Sequence, residues 1–170
     1  MSFLITGHPR CRTAWLSALL AAHGAPCVHD ALIRSADDIP EGWGISDPGF
    51  ALHFPDVTQR WVDHTNATVI IITRDRARQA FEEEFGGIPD DSWEAMSMNL
   101  HKFRERVGHH HFEAKHLTDD ETVGEIVRLC TKQEPSPQII STFQQLQITQ
   151  HLGVAKHRFN SKTGPSILGT

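Results

Sequence analysis

LITGHPRCRTAWLSALL, residues 4–20, decides how this chain is read. An apolar run over residues 3–6 breaks into a short basic loop. It resumes at helical spacing with Trp15, Leu16, Leu19 and Leu20, and His23 and Gly24 mark the stop. Strand, loop and helix in that order build an anion site. The first amides of a helix have no partner inside it, and the positive end of its dipole lies beside them. Arg10 and Arg12 add two full charges at that point.

Outward from this stretch the alternation continues. Residues 25–29 suit a second strand, a loop rich in Asp, Pro and Gly runs to about residue 49, and residues 50–54 form a further strand candidate. Val57, Trp61 and Val62 share one face of a helix over 56–64. ATVIIIT, residues 67–73, is the strongest strand, and its continuous β-branched run marks burial on both faces, as in a parallel sheet. A helix over 76–85 ends at Gly86 and Gly87. The next, capped by Asp91, repeats Trp93, Met96, Leu100, Phe103 and Val107 at steps of three and four, a core-facing stripe. Residues 110–115 read as the last strand. Asp119 or Asp120 caps a helix carrying Val123, Ile126, Val127 and Cys130, and residues 139–146 form a short helix beyond the PSP interruption. These elements predict an α/β fold in three layers, with a mainly parallel sheet flanked by helices and ligands outside the carboxyl ends of the strands. One domain over residues 1–155 and a polar tail over 156–170 are expected.

Composition narrows the function. With 170 residues the chain can bury a core without disulfides or metals. A net charge of −5 argues against general nucleic-acid or anionic-membrane binding, so any anion site is local. Cys11, Cys27 and Cys130 are widely spaced and odd in number, which suggests neither a disulfide framework nor a thiolate metal site. No apolar run reaches membrane-spanning length, and a cytoplasmic location is expected. His109, His110 and His111 are adjacent, but neighbours on a strand point to opposite faces, so no metal site is predicted there.

The loop does not have the spacing of an ordinary Walker A motif. After Gly7 and four further residues, that motif requires Gly, Lys and Ser or Thr; here Arg12, Thr13 and Ala14 occupy those positions. The phosphate lysine and the magnesium hydroxyl are both missing, and no GxGxxG dinucleotide loop is present.

HPRCRTAWL, residues 8–16, instead resembles the 5′-phosphosulfate loop of sulfotransferases, commonly written YPKSGTTWL. Pro9, Thr13, Trp15 and Leu16 match, and Arg10 falls where that family has Lys or Arg. ALHFP (51–55) resembles the family's KTHLP segment, VIIITRDRARQAF (69–81) is similar to the strand and helix written VIYIVRDPRDVAVS, and HHFEAKHLTDDETVGEIVRLC (110–130) resembles its late strand and helix. The resemblance implies a P-loop-type fold and a site for 3′-phosphoadenosine 5′-phosphosulfate, or its product 3′,5′-diphosphoadenosine, without a metal. It places Pro9, Arg10, Cys11, Arg12, Thr13, Ala14 and Trp15 at the 5′-phosphate and Arg74 at the 3′-phosphate. Arg10 would stabilise the leaving oxygen, and His53 would be the base that activates an acceptor hydroxyl or amine. His29 and Asp30 form a rival acid–base pair.

The chain departs from the family pattern at several positions. Ala51 and Leu52 precede His53 where the family often has Lys and a hydroxyl residue, and Ala14 lacks a hydroxyl. Glu82, eight residues after Arg74, stands where the family has a phosphate-binding serine. A carboxylate in the pocket opposes a 3′-phosphate there, whereas one in solvent permits it. Three readings therefore stay open: a sulfotransferase acting on a small-molecule or protein acceptor, a nonenzymatic nucleotide or phosphate binder, and a divergent phosphotransferase or nucleotide kinase.

Overall fold

Val69 through Ile72 are each at most 2% exposed, so the β-branched run is the doubly covered strand its composition implies. In the computed structural model, which describes residues 2–29 and 39–146, this strand is β4 (Thr68–Thr73). It pairs with β1 (Phe3–Gly7) along that strand's whole length, from Phe3 opposite Thr68 to Gly7 opposite Ile72. β2 (Cys27–Val28), β3 (Gly44–Ser46) and β5 (His110–Glu113) complete a five-stranded sheet in the order β2-β3-β1-β4-β5, and every pairing is parallel.

Period-two alternation distributes the core over both faces. Phe3, Ile5, Ile70 and Ile72 point to one side, where α1 (Thr13–Ala22), α6 (Asp120–Thr131) and α7 (Pro137–Gln145) supply Leu16, Leu20, Ile126, Val127 and Ile140. Leu4, Val69 and Ile71 point to the other, against α2 (Pro48–His53), α3 (Pro55–Thr65) and α5 (Asp90–Arg106), where Leu52, Val62, Leu100 and Phe103 close the layer. α4 (Ala77–Phe85) follows β4, and a 3-10 turn, Ala114–Thr118, follows β5. This is the expected three-layer α/β fold, a parallel sheet flanked by helices.

Three expectations need correction. Asp91 does not cap α5, which starts at Asp90 after Pro89 and has no side-chain cap. Residues 50–54 do not form a strand: Phe50, Ala51, Leu52 and His53 lie on α2, because Asp47 caps its first turn and Pro48 occupies its first position. The Asp47 carboxylate accepts from the amides of Gly49, at 2.6 Å, and Phe50, at 3.2 Å. The preceding loop is also not continuous, since it contains β3. Asp30 and the expected tail, residues 156–170, lie outside the described residues.

The strand order puts a crevice at the end of β1. From β1 the chain passes to α1 on one face, whereas from its neighbours β3 and β4 it passes toward α2 and α5 on the other. Adjacent strands that send their chains to opposite faces leave an opening beyond their carboxyl ends, where ligands of open α/β sheets bind.

Candidate functional site

Gly7 ends β1 at a point where no side chain fits: a Cβ there would lie 2.0 Å from the Ile72 carbonyl oxygen. The chain then turns through residues 8–12 with two arginines in the left-handed region, Arg10 at φ 72° and Arg12 at φ 62°. That conformation favours glycine, and at each of these positions it costs about 1–2 kcal/mol. Arg12 is the N-cap of α1 and makes no side-chain cap, so the amides of Thr13, Ala14 and Trp15 start the helix without an intrahelical acceptor. Ser46 ties this turn to the sheet, its hydroxyl donating to the Thr13 carbonyl at 2.7 Å.

These residues open into a cavity of about 980 Å³, walled by the loop, the ends of β4 and β5, α4 and α7. The volume lies at the upper end of the range for small-molecule sites. Its lining brings together Pro9, Arg10, Arg12, Thr13, Ala14, Trp15 and Arg74 from the sequence reading. Cys11 is not in the lining. Its thiol is fully buried in the core, where burial pushes its pKa up to about 12 against the opposing pull of Arg74. It is therefore a packing residue, with neither the exposure nor the thiolate character of a nucleophile. Trp15 is buried as well. Its indole N–H donates to the Phe143 carbonyl at 3.0 Å, and its ring meets Phe143 edge-on, so it fastens α7 over the cavity.

The cations divide into two kinds. Arg10 forms an ion pair with Glu84 at 2.5 Å, and Lys115 forms one with Glu113 at 2.5 Å. The Lys115 bond holds the Glu113 carboxyl below the usual carboxylate range. Arg74 instead donates to the Arg10 carbonyl at 2.9 Å, bridging the crevice from β4 to the loop, and Arg12 reaches the Leu117 carbonyl at 3.4 Å with its guanidinium 6.0 Å from the Trp15 ring centre. Among the described residues neither Arg12 nor Arg74 forms an ion pair with a carboxylate. Two guanidiniums and the start of α1 thus face the cavity without an ion-pair partner among the described residues.

Glu82 is turned away from the cavity. It accepts from Arg78 at 2.8 Å, Arg78 also binds Asp90, and Glu82 is absent from the lining. The carboxylate that does face the loop is Glu84, which spacing from Arg74 did not mark. His53 is exposed at the end of α2, with its ring 6.4 Å from that of Phe54, and does not line the cavity. His29 does line it, and its Nδ1 lies 2.5 Å from the Ser46 carbonyl. A carbonyl can only accept, so Nδ1 donates to it. His8 lies on the α5 side, stacked on Trp93 and 3.1 Å from the Ser97 hydroxyl, and burial lowers its pKa, with Arg104 adding to the shift.

Lys115, Glu113, Phe81 and Phe85 also line the cavity. The rule that ligands sit beyond every strand's carboxyl end, applied to β5 as well as β1, would have pointed to the first two. His111, from the histidine run, bonds the Thr73 hydroxyl at 2.8 Å. Among the described residues no three His, Cys, Asp or Glu side chains are grouped to hold a metal ion, and no helix is long and apolar enough to cross a membrane.

Fold and site define a three-layer α/β protein with a parallel sheet and a cationic loop between β1 and α1. No protein-family model matches the chain, and no curated protein matches it. Among solved structures it is similar to a gluconokinase from Sinorhizobium meliloti 1021, at 11% identity and a TM-score of 0.46, over 92% of this chain and 97% of that one. A likeness at that level assigns neither activity nor ligand.

Proposed function

We propose that this chain binds a phosphorylated nucleotide, its 5′-phosphate on the amides of Thr13, Ala14 and Trp15 and against the guanidinium of Arg12. The observation that carries this reading is the uncapped start of α1 opening into the cavity beside two arginines without carboxylate partners. Phe81, Phe85, Phe143 and Leu146 give the same cavity apolar surface suited to a base. The nucleotide class that the sulfotransferase resemblance favours is phosphoadenosine, with Arg74 toward the 3′-phosphate. Glu82, paired with Arg78, leaves that position open. Position 13 supplies no lysine and position 14 no hydroxyl, so phosphate recognition falls to amides and guanidiniums.

Calorimetry with 3′,5′-diphosphoadenosine, 5′-AMP and adenosine, with and without magnesium, tests this. The expected result is phosphate-dependent binding that magnesium does not change, that Arg12→Ala weakens for both nucleotides, and that loses its preference for the 3′-phosphate in Arg74→Ala. Binding that appears only with magnesium would move the chain to the phosphotransferase reading. Failure of both nucleotides to bind at millimolar concentration would overturn the proposal.

A further inference from the structure

We infer that Glu84 sets the affinity and charge selectivity of the loop by acting as an internal anion on Arg10. The inference rests on the phosphate reading above. Arg10 and Glu84 both line the cavity, their side chains are about a quarter exposed, and they pair at 2.5 Å. Arg10 itself is held in the left-handed region at φ 72°, and its carbonyl is clamped by Arg74. The loop therefore presents the guanidinium at a fixed place, where α4 delivers a carboxylate to it.

Two consequences follow from the charges. Among the described residues the lining carries Arg10, Arg12, Arg74 and Lys115 against Asp75, Glu84 and Glu113, an excess of one positive charge. Such a site accepts one phosphate more readily than a chain of phosphates, whose added charge meets Glu84 once Arg12 and Arg74 are engaged. A more highly charged ligand gains Arg10 only by displacing Glu84 from it.

The test is calorimetry of the full chain and its Glu84→Gln variant with adenosine, 5′-AMP and 3′,5′-diphosphoadenosine as probes. Freeing the Arg10 guanidinium to form one charge-assisted bond with a bound phosphate corresponds to about tenfold. Glu84→Gln is expected to tighten 5′-AMP about tenfold and 3′,5′-diphosphoadenosine by more, and to leave adenosine within about twofold. In an Arg10→Ala background the extra gain from Glu84→Gln should shrink severalfold, a coupling that a merely structural role for Glu84 would not produce. Glu83→Gln, exposed on the same helix and outside the lining, should change nothing. Wild-type binding of 5′-AMP with no shift in Glu84→Gln, or an equal shift for adenosine, overturns this inference alone. Failure of wild type and variant alike to bind either nucleotide overturns it together with the phosphate reading.

Discussion

Arg12 and Arg76 allow backbone strain to be separated from ligand binding. Both are N-caps in the left-handed region, Arg12 at φ 62° before α1 and Arg76 at φ 54° before α4, and neither caps its helix through its side chain. Only Arg12 lines the cavity. Glycine relieves about 1–2 kcal/mol of strain at such a site, offset by about 0.4–1 kcal/mol of extra freedom in the unfolded chain. Arg76→Gly should therefore stabilise by about 0.5–1 kcal/mol, which for a chain of this size is a rise of about 2–3 °C in Tm. Arg12→Gly gains the same relief but loses the 3.4 Å contact to Leu117 and the approach to Trp15, so its stability should stay near that of wild type. Its effect on binding is larger. A charge-assisted bond to phosphate contributes about 1.5–3 kcal/mol, so 5′-AMP should bind about 10–100-fold more weakly to Arg12→Gly and unchanged to Arg76→Gly. Urea unfolding and calorimetry on the two variants read both quantities. Equal stabilisation of both with unchanged 5′-AMP affinity would refute an anion-binding role for Arg12, and destabilisation by Arg76→Gly would refute the strain argument.

Gly7→Ala places a Cβ 2.0 Å from the Ile72 carbonyl oxygen, so β1 and β4 must move apart; the expected loss exceeds about 3 kcal/mol, and a Tm within a few degrees of wild type would contradict the packing described. Trp15→Phe removes the donor to the Phe143 carbonyl and should cost about 1–2 kcal/mol, with faster proteolytic cleavage around Phe143 as the local readout. His8 has a folded pKa below its ordinary value, so the stability it contributes is present above about pH 6.5 and is lost as pH falls through that lowered value. His111 is shifted the same way, so His8→Phe should reduce the decline in urea midpoint between pH 7.5 and 5.5 without abolishing it.

The elements legible in the sequence are those whose own residues dictate them. β4 is a β-branched run buried on both faces, and α5 carries its stripe of Met96, Leu100 and Phe103 into the core. β3 was missed because its sequence answers to a neighbour: Gly44 lies against the Phe3 ring, and a Cβ there would come within 2.1 Å of it. A three-residue strand with glycine at its start has no pattern of its own to read. The α2 segment misled in the opposite way. Its apolar residues 50–52 suggest a strand, but Asp47 and Pro48 before them form a helix start, and those two short-range signals prevailed over hydrophobicity.

The loop's position and its basic character were readable from spacing, whereas the partition of its charges was not. Spacing from Arg74 marked Glu82 as the threatening carboxylate. Two residues along a helix turn the side chain by about 200°, so Glu82 and Glu84 cannot both face the loop. Sequence could establish that opposition but not its direction, which is set by Arg78 bridging Glu82 and Asp90 and so turning Glu84 toward Arg10. Arg10 is thereby the arginine of the loop that is paired with a carboxylate, whereas Arg12 forms no ion pair among the described residues. One contact with α4 separates the two positions electrostatically, which is why binding by Arg12 and selectivity through Glu84 call for separate variants.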